Sequence, residues 1–330
     1  MNDGRRTSGP HLAKHSPLPA YVGLQCHRVR AEKFAEMPAN EPAGTCDENR
    51  SGHDPSRSVT SSPSMARQLL LRSLERARLL RSLFRVHERL TTLRTADSEP
   101  KRSEGLPLPP PHLRTLAAGT ANTHWFLESG RASAETIRDA VRRHGGDLDS
   151  GARMLDFGCG CGRILRHWQH LAKVEIHASE PDGRLAEWCA GNLPFVSVSR
   201  SSALPALPYE PDTFDLVYAI SVFTHLTERE QLLWITELAR IIRPGGLLLL
   251  TVHGDRYLNR LTREERKSYD DGRLVIRHAS ASGTNLCCAF HPAHFVRERL
   301  APGFGLLEHT TGGFERGAPQ QDLVVLGKSS

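Results

Sequence analysis
Asp156-Phe157-Gly158-Cys159-Gly160-Cys161-Gly162 packs three glycines, two cysteines and an aspartate into seven positions of the stretch RMLDFGCGCGRILRHW, residues 153–168. Glycines at this spacing let the backbone turn sharply and set bare main chain against a ligand. A helix opening beyond them would offer unpaired N–H groups to an anionic group. Three chemistries compete for the loop. A dinucleotide fingerprint needs glycine or alanine three residues after its second glycine, for close packing beside the pyrophosphate. The two registers available put Arg163 or Leu165 there. No lysine follows for a P-loop. Cys159 and Cys161 would need two further ligands to close a tetrahedral zinc site, and the adjacent Cys287-Cys288 pair converges poorly on one metal. Small side chains filling a crowded turn account for both cysteines, and no metal is expected.

The elements that must position this loop follow from hydrophobic periodicity. From Ala152 onward short apolar runs alternate with helical patterns: ARMLDF, VEIHASE, FVSVS, FDLVYAIS and LLLLTVH as strands, with GRILRHWQHL, GRLAEWCAGN and EREQLLWITELARII as helices. RPGG reads as the turn before LLLLTVH, HPAHFVRERLA as a late helix and QQDLVVLGK as a last strand. Ser133-Ala134-Glu135 opens an earlier helix that stops at Gly145-Gly146. Strand–helix alternation predicts an α/β fold, a mainly parallel sheet covered on both faces. Ligands of such sheets lie outside the carboxyl ends of the strands, which is where the glycine loop falls.

With those residues in place, LDFGCGCGR resembles motif I of the class I S-adenosylmethionine-dependent methyltransferases, and the resemblance continues in order over about residues 115–328. HASEPD resembles their second strand end, FDLVYAISVFTHL their fourth strand and following loop, and ELARIIRPGGLLLLTV the next helix, turn and fifth strand. The resemblance implies a three-layer Rossmann-like methyltransferase fold with a mostly parallel seven-stranded sheet. It also implies S-adenosyl-L-methionine as co-substrate, held by Asp156, Phe157, Gly158, Cys159, Gly160 and Gly162 of the loop and by Glu180 and Pro181 at the second strand end. Glu180 would take the ribose hydroxyls and Asp156 would hold loop amides. Ser202 and Ala203 would lie near the adenine, although the family often has an acidic or amide residue there, and Ser221 would face the methionine end. His225, four residues past Ser221, is the candidate general base, with His253 and His291 behind it.

Where several amine-methylating relatives carry D/N-P-P-Y, this chain has Ile220-Ser221-Val222-Phe223, so the clamp for an exocyclic amine is missing. The expected acceptor is a small molecule or a glycan or lipid precursor, with no specific nucleic acid. Residues 254–290 are the candidate substrate lid, YDDGRLVI within them suggesting a hairpin. Two other classes compete: a cofactor-binding protein without catalysis, and an NAD(P)-dependent oxidoreductase on a Rossmann sheet, disfavoured by Arg163.

The rest of the chain bounds the reading. Hydrophobic content of 38% and mean hydropathy of −0.41 are low for a wholly globular protein of 330 residues. Residues 1–64 show no periodicity and read as a disordered extension. Residues 65–94 read as a basic amphipathic helix, with Leu70, Leu74, Ala77, Leu80 and Phe84 on one face among eight arginines. Such a helix suits an anionic membrane surface or a partner, or simply packs on its own domain. It carries most of the net charge of +6, so a nucleic-acid role for the whole chain does not follow. Met65, directly before that helix, is an alternative start. Residues 95–112 read as a Pro-rich linker and 113–330 as the folded domain. Seven irregularly spaced cysteines, with no N-terminal apolar run, point to free thiols in a cytoplasmic protein.

Overall fold
A computed structural model describes residues 101–312 and 320–329. Its centre is a seven-stranded sheet built from β3 (Arg153–Phe157), β4 (Glu175–Glu180), β5 (Val196–Arg200), β6 (Phe214–Ala219), β7 (Ile242–Val252), β10 (Phe304–Thr310) and β11 (Asp322–Lys328). Their order is β10-β11-β7-β6-β3-β4-β5. The five strands from β7 to β5 run parallel, and β11 and β10 add antiparallel at one edge. The chain runs outward from β3 to β4 and β5, then crosses back to lay β6 on the other side of β3. Beside β3 and β6 the strand order reverses, so their carboxyl ends open the crevice where such sheets take ligands.

Alternation along the strands builds two cores. Met154, Ile176, Leu216, Tyr218 and Leu249 pack with Ile137, Ala140 and Val141 of α2 (Thr123–Arg143). Leu155, Val217, Leu248 and Leu250 pack on the opposite face with Trp234, Ile235, Leu238 and Ile241 of α4 (Glu228–Ile241). Each large apolar side chain buried this way contributes about 1.5–3 kcal/mol. The sandwich of helix, sheet and helix holds the strand ends rigidly.

Several expectations change in the structure. The segment 101–112 is not a free linker: β1 (Arg102–Ser103) and β2 (Leu106–Pro107) form a small hairpin, and Pro111 starts α1 (Pro111–Ala118). Proline is compatible with a first helical turn, whose N–H groups lack partners anyway. The helix placed at Ser133 begins ten residues earlier, where the Asn122 side chain accepts from Trp125 N at 2.8 Å. No long helix follows the glycine loop; the chain makes turns and a 3₁₀ segment, Leu165–Trp168. Arg243 to Gly246 lie within β7 rather than in a free turn, at a register shift opposite β6. In the 254–290 region, α5 (Arg263–Asp270) takes up part of the suspected hairpin, and β8 (Val275–Arg277) pairs instead with β9 (Cys288–Phe290). The late helix is short, α6 (Ala293–Phe295), and continues as a π-helical turn to Leu300. Cys159, Cys161 and Cys189 are buried free thiols, whereas Cys288 is disulfide-bonded, against the expectation of free thiols throughout. The expectations for residues 1–64 and 65–94 lie outside the described residues. Among the described residues no helix is long and apolar enough to cross a membrane.

Candidate active site
The glycine loop leaves β3 with Gly158, Gly160 and Gly162 at φ of +82°, +58° and +81°. Side-chain-bearing residues rarely adopt this region. A Cβ at Gly158 would stand 2.6 Å from Val222 Cγ2, and one at Gly160 would stand 3.0 Å from the Ala117 methyl carbon. The loop is therefore pressed between the loop after β6 and α1. Both cysteine side chains turn inward: Cys159 joins the core under α2, and Cys161 joins Leu108, Leu113, Leu116, Phe126 and Leu185. Burial raises the Cys161 thiol well above its ordinary range. No group of three metal-ligating side chains forms among the described residues.

Glu180, at the carboxyl end of β4, is wholly buried. Its Oε2 accepts from Gly160 N at 2.8 Å and its Oε1 from Asp182 N at 2.9 Å. Asp182 in turn caps α3 (Gly183–Asn192), accepting from Arg184 N at 2.8 Å. Pro181 sits between them, half-buried. Burial outweighs the two N–H bonds and lifts the Glu180 carboxyl to about 8. Asp156, expected to hold loop amides, makes no such bond. Trp168 Nε1 donates to the Tyr218 hydroxyl at 3.0 Å, and that hydroxyl bonds the Asp156 carboxyl, which burial raises to about 7. Arg163 lies near this carboxylate, donates to Ser129 and Ser133 hydroxyls at 3.2 and 3.3 Å, and lies over the Trp125 ring. The residue that tells against a dinucleotide is thus a tie from the loop to α2.

The other expected residues divide. The Phe157 ring packs on Trp234 with centroids 4.7 Å apart, so only its main chain borders the crevice. Ser202 is exposed, its hydroxyl bonded to Leu204 O, and Ala203 O accepts from Trp234 Nε1 at 3.3 Å. Ser221 takes φ of +61°, its N–H donating to Thr251 Oγ1 at 2.8 Å.

His225 closes a 3₁₀ turn, Phe223–His225, and is 6% exposed. Its Nδ1 lies 2.7 Å from Cys287 O. A carbonyl only accepts, so Nδ1 carries the proton and Nε2 keeps its lone pair. Nε2 has no hydrogen-bond partner among the described residues. Burial lowers the imidazole to about 4, leaving it neutral at ordinary pH. His253 is fixed the same way through Ala289 O at 3.1 Å, but its Nε2 faces the Gln321 amide nitrogen at 3.5 Å. Gln321 Oε1 accepts from the Ser221 and Thr251 hydroxyls at 3.1 and 2.5 Å. His291 serves the frame instead. Its Nε2 bonds Gln231 Oε1 at 3.1 Å, while Gln231 Nε2 holds Phe223 O and Leu226 O at 3.0 Å each. The turn that presents His225 is thereby fixed to α4. Sequence reasoning missed Gln321, Thr251 and α1; they are distant in sequence or sit in a Pro-rich stretch that carries no periodic signal.

Residues 155–250 match the model of a family described as a methyltransferase domain. Methyltransferase GfsG of Streptomyces halstedii is 27% identical over 142 residues, 38% of this chain and 44% of that protein. The tRNA (carboxymethyluridine(34)-5-O)-methyltransferase of Arabidopsis thaliana is 34% identical over 106 residues, 32% of this chain and 25% of that one. The chain thus spans less than half the length of these relatives. Among solved structures, the glycopeptide N-methyltransferase MtfA complexed with sinefungin aligns over 61% of this chain and 94% of its own, at 18% identity and a TM-score of 0.44. The matched segment runs from β3, through the glycine loop, into β7, and is similar to a methyltransferase domain.

Proposed function
We propose that the chain is an S-adenosylmethionine-dependent methyltransferase that methylates an oxygen nucleophile. The observation that carries this reading is the bond between Glu180, at the end of β4, and Gly160 of the loop after β3. It draws a carboxylate and a stretch of side-chain-free main chain to one point at the reversal of strand order. A carboxylate has about four lone-pair sites, of which the two backbone bonds occupy two, so the group suits a vicinal diol such as a ribose. Charge-assisted bonds of this kind contribute about 1.5–3 kcal/mol each. The short 3₁₀ segment after the loop has no appreciable helix dipole, which suits a cationic sulfonium better than a pyrophosphate.

When bound, the cofactor supplies an electrophilic methyl group and a leaving thioether. The chain's part is alignment, which in well-oriented sites is worth roughly 7–11 kcal/mol. Gly158, Gly160 and Gly162 give the cofactor main chain to lie on, and Ser221, tied through Thr251 and Gln321, borders the methyl end. His225 takes the acceptor's proton at Nε2, a contribution of about 10²–10⁴-fold. His253 holds Gln321 in place rather than accepting a proton.

Calorimetry with S-adenosylhomocysteine tests the reading. Binding is expected, with at least a tenfold loss in Glu180→Ala; no binding, together with binding of NADH, would replace it with the oxidoreductase reading. The tRNA acceptor named for the Arabidopsis relative is a second reading of the acceptor, favoured by 34% identity across the matched segment.

A further inference from the structure
Gln321 stands one residue before β11, and its side chain reaches three groups at the carboxyl ends of β6 and β7. β11 runs antiparallel to β7, with Asp322 opposite Val252 and Leu323 opposite Thr251, so its first residues lie beside the last residues of β7. That reversal brings a side chain from the far end of the sequence to the ligand edge of the parallel strands. Gln321 is 4% exposed, and the next residue anchors its backbone. Asp322 Oδ1 accepts from Gly312 N at 3.1 Å, its Oδ2 pairs with His309 Nε2 at 3.1 Å, and the carboxylate fills the space where Gly254 would otherwise carry a side chain.

The hydrogen bonds around this amide run in one direction. His253 Nδ1 gives its proton to Ala289 O at 3.1 Å, so its Nε2 holds a lone pair and takes a Gln321 Nε2–H at 3.5 Å. The amide oxygen therefore faces the other way, accepting from Ser221 Oγ at 3.1 Å and Thr251 Oγ1 at 2.5 Å. With its own proton so engaged, Thr251 Oγ1 takes the Ser221 N–H on a lone pair at 2.8 Å. Ser221 is thus held by main chain and side chain together, at φ of +61°. Its one hydroxyl proton goes to Gln321, and no donor among the described residues reaches its oxygen. The residue is half-buried, and its neighbour Val222 presses on Gly158. Ser221 therefore brings an oxygen with free lone pairs to the side of the glycine loop.

We infer that Gln321 is a positioning residue of the cofactor site: by holding the Ser221 proton, it turns that hydroxyl's lone pairs toward the positively charged methyl end of S-adenosylmethionine. The inference rests on the methyltransferase reading and adds a residue to the same site. A dipole fixed before the ligand arrives stabilises a cation with no reorganisation of its own. A hydroxyl without such an acceptor rotates to suit whatever partner is near. A role in folding alone would support S-adenosylmethionine and S-adenosylhomocysteine equally, since the two differ only in the methyl group and the positive charge on sulfur.

The test is calorimetry on the full chain with both ligands, in the wild type, Gln321→Met, Ser221→Ala and the double variant. The quantity read is the Kd for S-adenosylmethionine divided by the Kd for S-adenosylhomocysteine. Gln321→Met, close in length but without the carboxamide, should raise this ratio at least threefold, and Ser221→Ala at least as much. In the double variant the ratio should be no higher than in Ser221→Ala alone, because Gln321 acts through Ser221. An unchanged ratio in either single variant would overturn the inference, as would a double variant in which the two effects multiply. Loss of both ligands by Gln321→Met, with the ratio in Ser221→Ala unchanged, would assign Gln321 to the fold and overturn it as well. A wild-type chain that binds neither ligand would overturn the cofactor reading, and this inference with it.

Discussion
Glu180 and the histidines give the molecule opposite pH sensitivities. Burial raises Glu180 from 4.5 to about 8 and Asp156 from 3.8 to about 7. The native state thus holds more protons than the unfolded chain across those windows, and stability falls as pH rises through them. His225 and His291 are lowered from 6.5 to about 4 and about 3, so their contribution is lost as pH falls below 6.5. Thermal unfolding should be highest near pH 6.5 and drop toward pH 8.5, with a smaller drop in Glu180→Gln; an unchanged drop would remove Glu180 as its source. The same carboxyl ionises when a diol donates to it, so cofactor binding near pH 7 should release a proton. Calorimetry in buffers of different ionisation enthalpy would read that proton, and Glu180→Ala should abolish it. The position of Glu180 was legible, since 20 residues after Gly160 leave room for one crossover. The role of Asp156 was not, because its partner Tyr218 lies on β6 and only the parallel register brings them together.

At the level of elements, the start of α4 sets the turn that carries His225. Thr227 and Glu230 form a reciprocal cap, Glu230 N donating to Thr227 Oγ1 at 3.4 Å and Thr227 N to Glu230 Oε2 at 2.8 Å. Ser282 joins the cap through Glu230 Oε2 and Thr227 N, linking it to the loop that holds His225. Thr227→Ala should cost about 1 kcal/mol in denaturant unfolding, with a larger fractional loss of methyl transfer than of cofactor affinity. Equal losses would mean that the cap supports the fold without tuning the turn. The strands and α4 were legible because their periods are regular and their residues strongly apolar. The helix after the glycine loop was misread: GRILRHWQHL has helical spacing, but Gly162 at positive φ and the docking of Arg163 on α2 shorten it to one 3₁₀ segment.

Across the whole molecule, the segment 101–118 packs against the glycine loop through Ala117, although its part up to residue 112 reads as a linker. Arg166, 1% exposed, donates to Ser103 O at 3.0 Å and Pro107 O at 3.4 Å, and Gln169 Nε2 donates to Glu104 O at 3.1 Å. Arg166→Ala should loosen this strap, lowering stability by about 2 kcal/mol and weakening S-adenosylhomocysteine binding through α1. Protease cutting near Pro107 that is no faster than in the wild type would contradict that. Prolines hid the segment because they blur periodicity while fitting a short hairpin and a helix start. The two thiols behind the glycine loop give this arrangement a gauge. Cys159 and Cys189 both donate to Gly160 O, at 3.5 and 3.4 Å, from buried positions. An alkylating reagent can reach them only while the loop stands open, so their labelling rate follows the population of the open loop. Occupancy of the crevice should slow that labelling, which makes these otherwise inert cysteines reporters of how much of the time the site stands open.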